Sequence, residues 1–213
     1  MVPRASAARS RPSLRPGRHA LPREFVAQHK RRRITDAIAE LTAEHGYEST
    51  KIDDIVRRAG VARKTLYDNF DGKEDVFLAA FDTTAEEAFE RVEAACDEAG
   101  RDWEQRVEAA LAAFLDFVGE EPARARMCMI EAMSATPAAS QRYEAAVQRF
   151  VALARDDAPS YDRLPETIEE TLVGGVAWIV HQKIRRGEAE KAPQLLPELS
   201  EFVLAPFRGA AAE

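Results

Sequence analysis

The chain has 213 residues, room for one large domain or two small ones, and 46% of them are hydrophobic, enough for a core. The net charge of −7 argues against a uniformly basic nucleic-acid binder, and no apolar run approaches the ~18 residues of a membrane span. Cys96 and Cys128 lack metal-type spacing and fall in apolar helical patterns, so they read as small buried hydrophobes of a reducing cytosol rather than as a disulfide.

Residues 1–33 carry ten Lys/Arg against one Glu, residues 34–73 six against eight, and residues 74–213 fourteen against twenty-eight. A basic end on an acidic body is the distribution of a chain that turns one end to nucleic acid. Residues 1–23 read as a disordered basic arm, rich in Arg, Pro and Ser and poor in large apolar side chains. Its arginines suit phosphates or a minor groove. A plain flexible tail explains the same composition.

Ile34, Ala37, Ile38, Leu41 and Thr42 keep the three-and-four spacing of a buried stripe, which predicts a first helix over 24–45 closed by Gly46. Arg31, Arg32 and Arg33 near its start are placed to meet a phosphate backbone. A short second helix is predicted over 52–59, with Thr50 and Asp53 in a capping-box pattern and Gly60 as its stop. A third follows over 63–69, with Leu66 and Phe70 turned inward and Arg63, Lys64, Thr65, Tyr67 and Asn69 on its other faces. Two short helices across a glycine turn form the layout of a helix-turn-helix, whose second helix enters the major groove.

A long helix is predicted over 73–99, carrying Phe77, Phe81, Phe89, Val92 and Cys96 at helical spacing and linking the DNA-facing end to the remainder. Further helical patterns cover 103–118, 122–134, 138–155, 165–186 and 193–207. Strand-type alternation is missing and Ala, Glu, Arg and Leu dominate, so the predicted fold is all-α: a helix-turn-helix domain over 24–83 and a helical domain over 84–213.

The run IDDIVRRAGVARKTLYDNFDGKEDVFLAAF, within residues 34–81, resembles the N-terminal domain of the TetR family of bacterial transcriptional regulators. About a quarter of the chain carries the specific resemblance. It implies that Arg63 and Lys64 touch base edges, that Thr65 packs or binds phosphate, and that Tyr67, Lys73, Thr50 and Lys51 contact the DNA backbone. Asn69 stands where His is common, and Ala62 where a Ser often caps the recognition helix. Asp53 stands where some members carry a basic residue, and is assigned to capping. Independently of the family, an Arg63 fork on guanine O6 and N7 is worth roughly 1–3 kcal/mol of discrimination.

The resemblance further implies a cytoplasmic homodimer that binds double-stranded operator DNA and is released by a small-molecule effector, most often as a repressor. The dimer interface is expected at Leu172, Val176, Ile179, Leu195, Leu199 and Phe202, with Gly174 and Gly175 permitting close approach; ordinary monomer core is the alternative. Pocket candidates are Trp103, Phe114, Phe117, Met127 and Met133, then Tyr143, Phe150, Trp178 and His181, each more often a core residue than a ligand contact. The scarcity of charge among them points to an apolar or aromatic effector. No cofactor and no metal is expected. No Glu-x-x-His pair, phosphate loop or nucleophile elbow gives an enzyme residues to work with. The remaining rival is a helical adaptor or a non-specific nucleic-acid binder without a regulatory ligand.

Overall fold

A helix of only eight residues is marginal in isolation, so the short helices of the N-terminal part are held by packing and by polar staples rather than by propensity. In the computed structural model, which describes residues 23–155 and 164–211, α1 spans Arg23–His45 and buries Ile34, Ala37, Ile38, Leu41 and Thr42. Of the arm expected over residues 1–23, residues 1–22 lie outside the described residues, and Arg23 is the first residue of α1. Helix α2 spans Ile52–Ala59 and ends on left-handed Gly60. There Gly60 N–H donates to Arg57 O and Val61 N–H to Val56 O, the paired bonds of a Schellman motif. Helix α3 spans Arg63–Tyr67 rather than reaching Asn69, whose side-chain amide folds back on Thr65 O at 2.7 Å.

The expected Thr50–Asp53 capping box does not form. Lys51 is the N-cap of α2, with no side-chain cap. Thr50 is buried, so its hydroxyl must find a partner inside, and it donates to Gly46 O at 2.9 Å. Asp53 turns instead to Arg63.

Helices α1 to α3 close over Ile34, Ile38, Ile55, Leu66, Phe70 and Phe77. Arg58 forks onto Glu44 with two bonds of 2.8 Å and reaches Glu40 at 3.0 Å, pinning α2 to α1. Its guanidinium is held above its usual value, chiefly by the bond to Glu44. Arg33 donates to Gly60 O at 3.1 Å; Arg31 donates to Asn69 O at 3.0 Å and lies 4.3 Å over the Phe70 ring. These α1 arginines, expected at phosphates, are thus used to hold the helix-turn-helix to α1. Arg32 remains well exposed, 4.0 Å from Asp36.

Helix α4, Lys73–Glu98, leaves this head and continues past residue 83 without a break. Helix α5, Trp103–Glu120, starts under an Asp102 cap whose carboxylate accepts from Gln105 N–H at 3.0 Å. The helix expected over 122–134 is divided. It is α-helical over Pro122–Arg126 (α6), widens to a π turn over Met127–Glu131, and returns to α over Ala132–Ala135 (α7). The turn stands between two cores: Met127 joins the head cluster, and Met129 joins a second cluster built on Leu115, Val118, Val180 and Ile184.

Helix α8 spans Pro137–Arg155 and α9 spans Ile168–Arg185. The latter starts later than expected because Ile168 N–H closes a turn onto Pro165 O. A 3-10 stretch, Ala189–Leu195, containing Pro193, precedes α10, Leu196–Ala211. The single helix expected over 193–207 joined parts of both. The fold is all-α, with no strand among the described residues. No helix there is long and apolar enough to cross a membrane.

Candidate nucleic-acid interface and effector cavity

Leu66 and Phe70 anchor α3 to the head core, and this leaves Arg63, Lys64 and Tyr67 exposed on one short helix. Arg63 Nη1 donates to Asp53 Oδ1 at 2.6 Å, and its guanidinium lies 5.7 Å from the Tyr67 ring centroid. The Tyr67 phenol, and after it the Asp53 carboxylate, hold Arg63 above its usual value. Lys64 pairs with Asp68 at 3.2 Å. Both cations of α3 are therefore paired with carboxylates.

The other expected contacts divide. Lys51 is exposed at the start of α2. Thr50 presents no side chain, because its hydroxyl is buried and its N–H is bonded to Tyr47 O. Thr65 and Asn69 are half-buried, and Asn69 ties off its own helix. Lys73, at the first position of α4, donates to Tyr47 O at 3.0 Å and sits 4.0 Å over the Tyr47 ring. The ammonium is thus tethered to the loop between α1 and α2. Tyr47 had no visible motif around it; its role follows from being the buried aromatic packed edge-on against Phe77.

The second part of the molecule contains a cavity of about 200 Å³ between α4, α5, α8 and α9. Trp103, Phe114, Phe117, Tyr143 and Phe150 line it as expected. Four candidates do not. Met127 is consumed in the head core, and Met133 and Trp178 point to solvent. His181 stacks on Trp178 and places Nδ1 3.0 Å from Met129 O. Helical spacing cannot separate these outcomes, since it marks an apolar side chain without saying which neighbour covers it. The wall also includes Cys128 and Met129 of the π turn, and the charged side chains Arg106 and Glu169. Burial pushes the Cys128 thiol up to about 12, so it stays protonated and acts as a small apolar group.

The expected interface residues also divide. Leu172, Val176 and Leu199 are buried within the single chain, and Leu195 packs beside the second core. Ile179 and Phe202 are 39% and 45% exposed, next to Trp178 at 60%. Gly175 does permit close approach, but to Phe202 of the same chain, whose ring would meet an added Cβ at 2.9 Å; Gly174 faces open space.

A helix-turn-helix head with an exposed recognition helix, joined by one long helix to a cavity-bearing bundle, defines a DNA-binding transcriptional regulator of the one-component type. Residues 34–80 match the profile of the bacterial regulatory proteins of the tetR family. A Mycobacterium tuberculosis protein, named for transcriptional regulation of mycofactocin biosynthesis (MftR), is 30% identical over 173 residues, covering 76% of this chain and 83% of that one. The fatty acid metabolism regulator protein of Bacillus subtilis is 38% identical over 60 residues, which span 28% of this chain and only 31% of that protein. Among solved structures, the fatty acid degradation regulator FadR of Bacillus halodurans superposes with a TM-score of 0.74 at 18% identity, over 82% of this chain and 94% of that one. Bacillus subtilis FadR in complex with stearoyl-CoA does so with a TM-score of 0.65 at 16% identity, over 81% and 96%. The chain belongs to the TetR family of bacterial transcriptional regulators, which are not enzymes.

Proposed function

We propose that the protein represses transcription in the cytoplasm by binding a near-palindromic operator as a homodimer, and that a small molecule with an apolar body releases it. The observation that carries this reading is the path of α4. Its first residue, Lys73, stands at the DNA-facing head, while Phe81, Thr84, Ala88, Val92 and Cys96 further along it form a wall of the cavity. One rigid element therefore touches both sites. An effector that favours another setting of α4 weakens DNA binding by its differential affinity for the two states, and by no more.

The cavity wall is aromatic and aliphatic apart from a few polar groups, so the enclosed part of the effector is an alkyl chain or a ring system. The stearoyl-CoA carried by a protein of the same fold favours the alkyl chain. The exposed Trp178, Ile179 and Phe202 supply apolar surface for a second copy. In such a dimer two copies of α3 would stand about one DNA turn apart, ~34–36 Å.

The test is selection of duplexes from a random pool, followed by titration of the selected duplex with and without stearoyl-CoA. A preference of at least ~10³-fold over shuffled DNA is expected. Stearoyl-CoA is expected to raise the melting temperature and to release the duplex. Stabilisation by highly charged sugar phosphates alone, with no response to acyl or aromatic ligands, would sink the effector assignment.

A further inference from the structure

Asp53 is an unusual neighbour for a recognition helix. It lies in the first turn of α2, its side chain is 65% exposed, and its carboxylate should repel the phosphates that approach this face. An exposed ion pair contributes little to folding, so stability does not account for it. Its position does: Asp53 Oδ1 takes one Nη1 proton of Arg63 at 2.6 Å, and the Tyr67 ring lies beside the same guanidinium. The planar group is thereby held between a carboxylate and a phenol, on two different helices.

We propose that Asp53 is a specificity-determining residue that clamps Arg63 into a base-reading orientation. This rests on the DNA-regulator reading above. A guanidinium has five N–H donors in a rigid plane, and one bond to Asp53 leaves a two-donor edge for guanine O6 and N7. An unclamped arginine has a competing use, because any nearby phosphate accepts the same fork regardless of sequence. Asp53 removes that option twice. It fixes the direction of the fork, and it compensates the charge that would draw Arg63 to the backbone. The Lys64–Asp68 pair at 3.2 Å compensates the second cation of α3 in the same way. The excess of acids over bases across 34–73 then becomes a means of lowering affinity for non-cognate DNA.

The experiment compares wild type, Asp53→Ala, Asp53→Asn, Arg63→Ala and the Asp53→Ala/Arg63→Ala double variant, each as full chain. Each is put through duplex selection from one random pool and salt titration against a shuffled duplex. In the wild type, one symmetry-related pair of positions is expected to be enriched in guanine. Asp53→Ala should lose that enrichment roughly tenfold and keep the others, while Asp53→Asn, whose amide oxygen still accepts from Nη1 without the charge, should lose a smaller part of it. Their binding to shuffled duplex should tighten, with the slope of log K against log salt steeper by about 1.8, one added phosphate contact from each protomer of the dimer. The double variant should match Arg63→Ala in base preference, because Asp53 acts through Arg63. Asp53→Asn keeps the side-chain shape and serves if Asp53→Ala fails to fold. Wild-type base preference and salt slope in both Asp53 variants overturn the proposal alone. A wild type that enriches no duplex overturns the regulator reading together with it.

Discussion

A methyl group on Gly60 would meet Arg33 Nη2 at 2.5 Å, and the residue's φ of +62° is one that L side chains rarely adopt. The turn between α2 and α3 therefore depends on glycine for its left-handed backbone, and an added methyl would also push aside the flexible end of Arg33, which donates to Gly60 O. Gly60→Ala is expected to lower stability by about 1–2 kcal/mol in urea unfolding, and to weaken duplex binding by misplacing α3. At this scale Arg63, Lys64 and Tyr67 were legible as exposed polar residues, because Leu66 and Phe70 define the buried side. Their partners were not. Asp53 and Arg63 are brought together only by the angle between α2 and α3, and Lys73 meets Tyr47 only through the packing of α4 on the loop after α1.

The π turn is one place where head and cavity meet, as is Phe81 of α4, which belongs to the head core and lines the cavity. Cys128 and Met129 line the cavity, while Glu131 in the same turn accepts Tyr47 N–H through Oε2 at 3.1 Å. Tyr47 in turn holds Lys73. π turns recur at functional sites. Glu131 is 13% exposed, and Arg126 stands 3.6 Å from its other oxygen. Glu131→Ala is expected to cost about 1–3 kcal/mol by leaving Tyr47 N–H without its acceptor. Effector-driven release of duplex should fall as well, and Glu131→Gln, which keeps an acceptor, should restore much of both. Unchanged release by stearoyl-CoA in Glu131→Ala would exclude the turn as a link. Helix periodicity announced this segment as one helix, since Met127, Ile130 and Met133 keep α-helical spacing in the sequence; the π turn shifts the residues after it around the axis, and Met133 ends exposed.

For the whole molecule, DNA under the proposed function lies against the face that carries α3 and away from the acidic residues 74–213. Binding a palindrome requires two copies, and the surface offering itself is Trp178, Ile179 and Phe202 on α9 and α10. Ile179→Glu combined with Phe202→Glu would place like charges opposite each other across a two-fold interface. This variant is expected to be monomeric by light scattering, to keep its helical circular dichroism, and to bind the selected duplex far more weakly than wild type. A dimer of undiminished stability would move the interface elsewhere. Leu172, Val176 and Leu199 are no use as probes, because they are core of the single chain and their loss would unfold it.

The order of helices, the glycine stops and the inward stripe of the head follow from residue spacing, because local periodicity and backbone freedom act within a few positions. The family signature lies in the same short run for the same reason. Which carboxylate meets Arg63, which aromatics enclose the cavity and which apolar side chains of α9 and α10 stay exposed depend on contacts between elements far apart in the chain. Those contacts are set by packing angles and by competition for a shared core, and no local pattern encodes them.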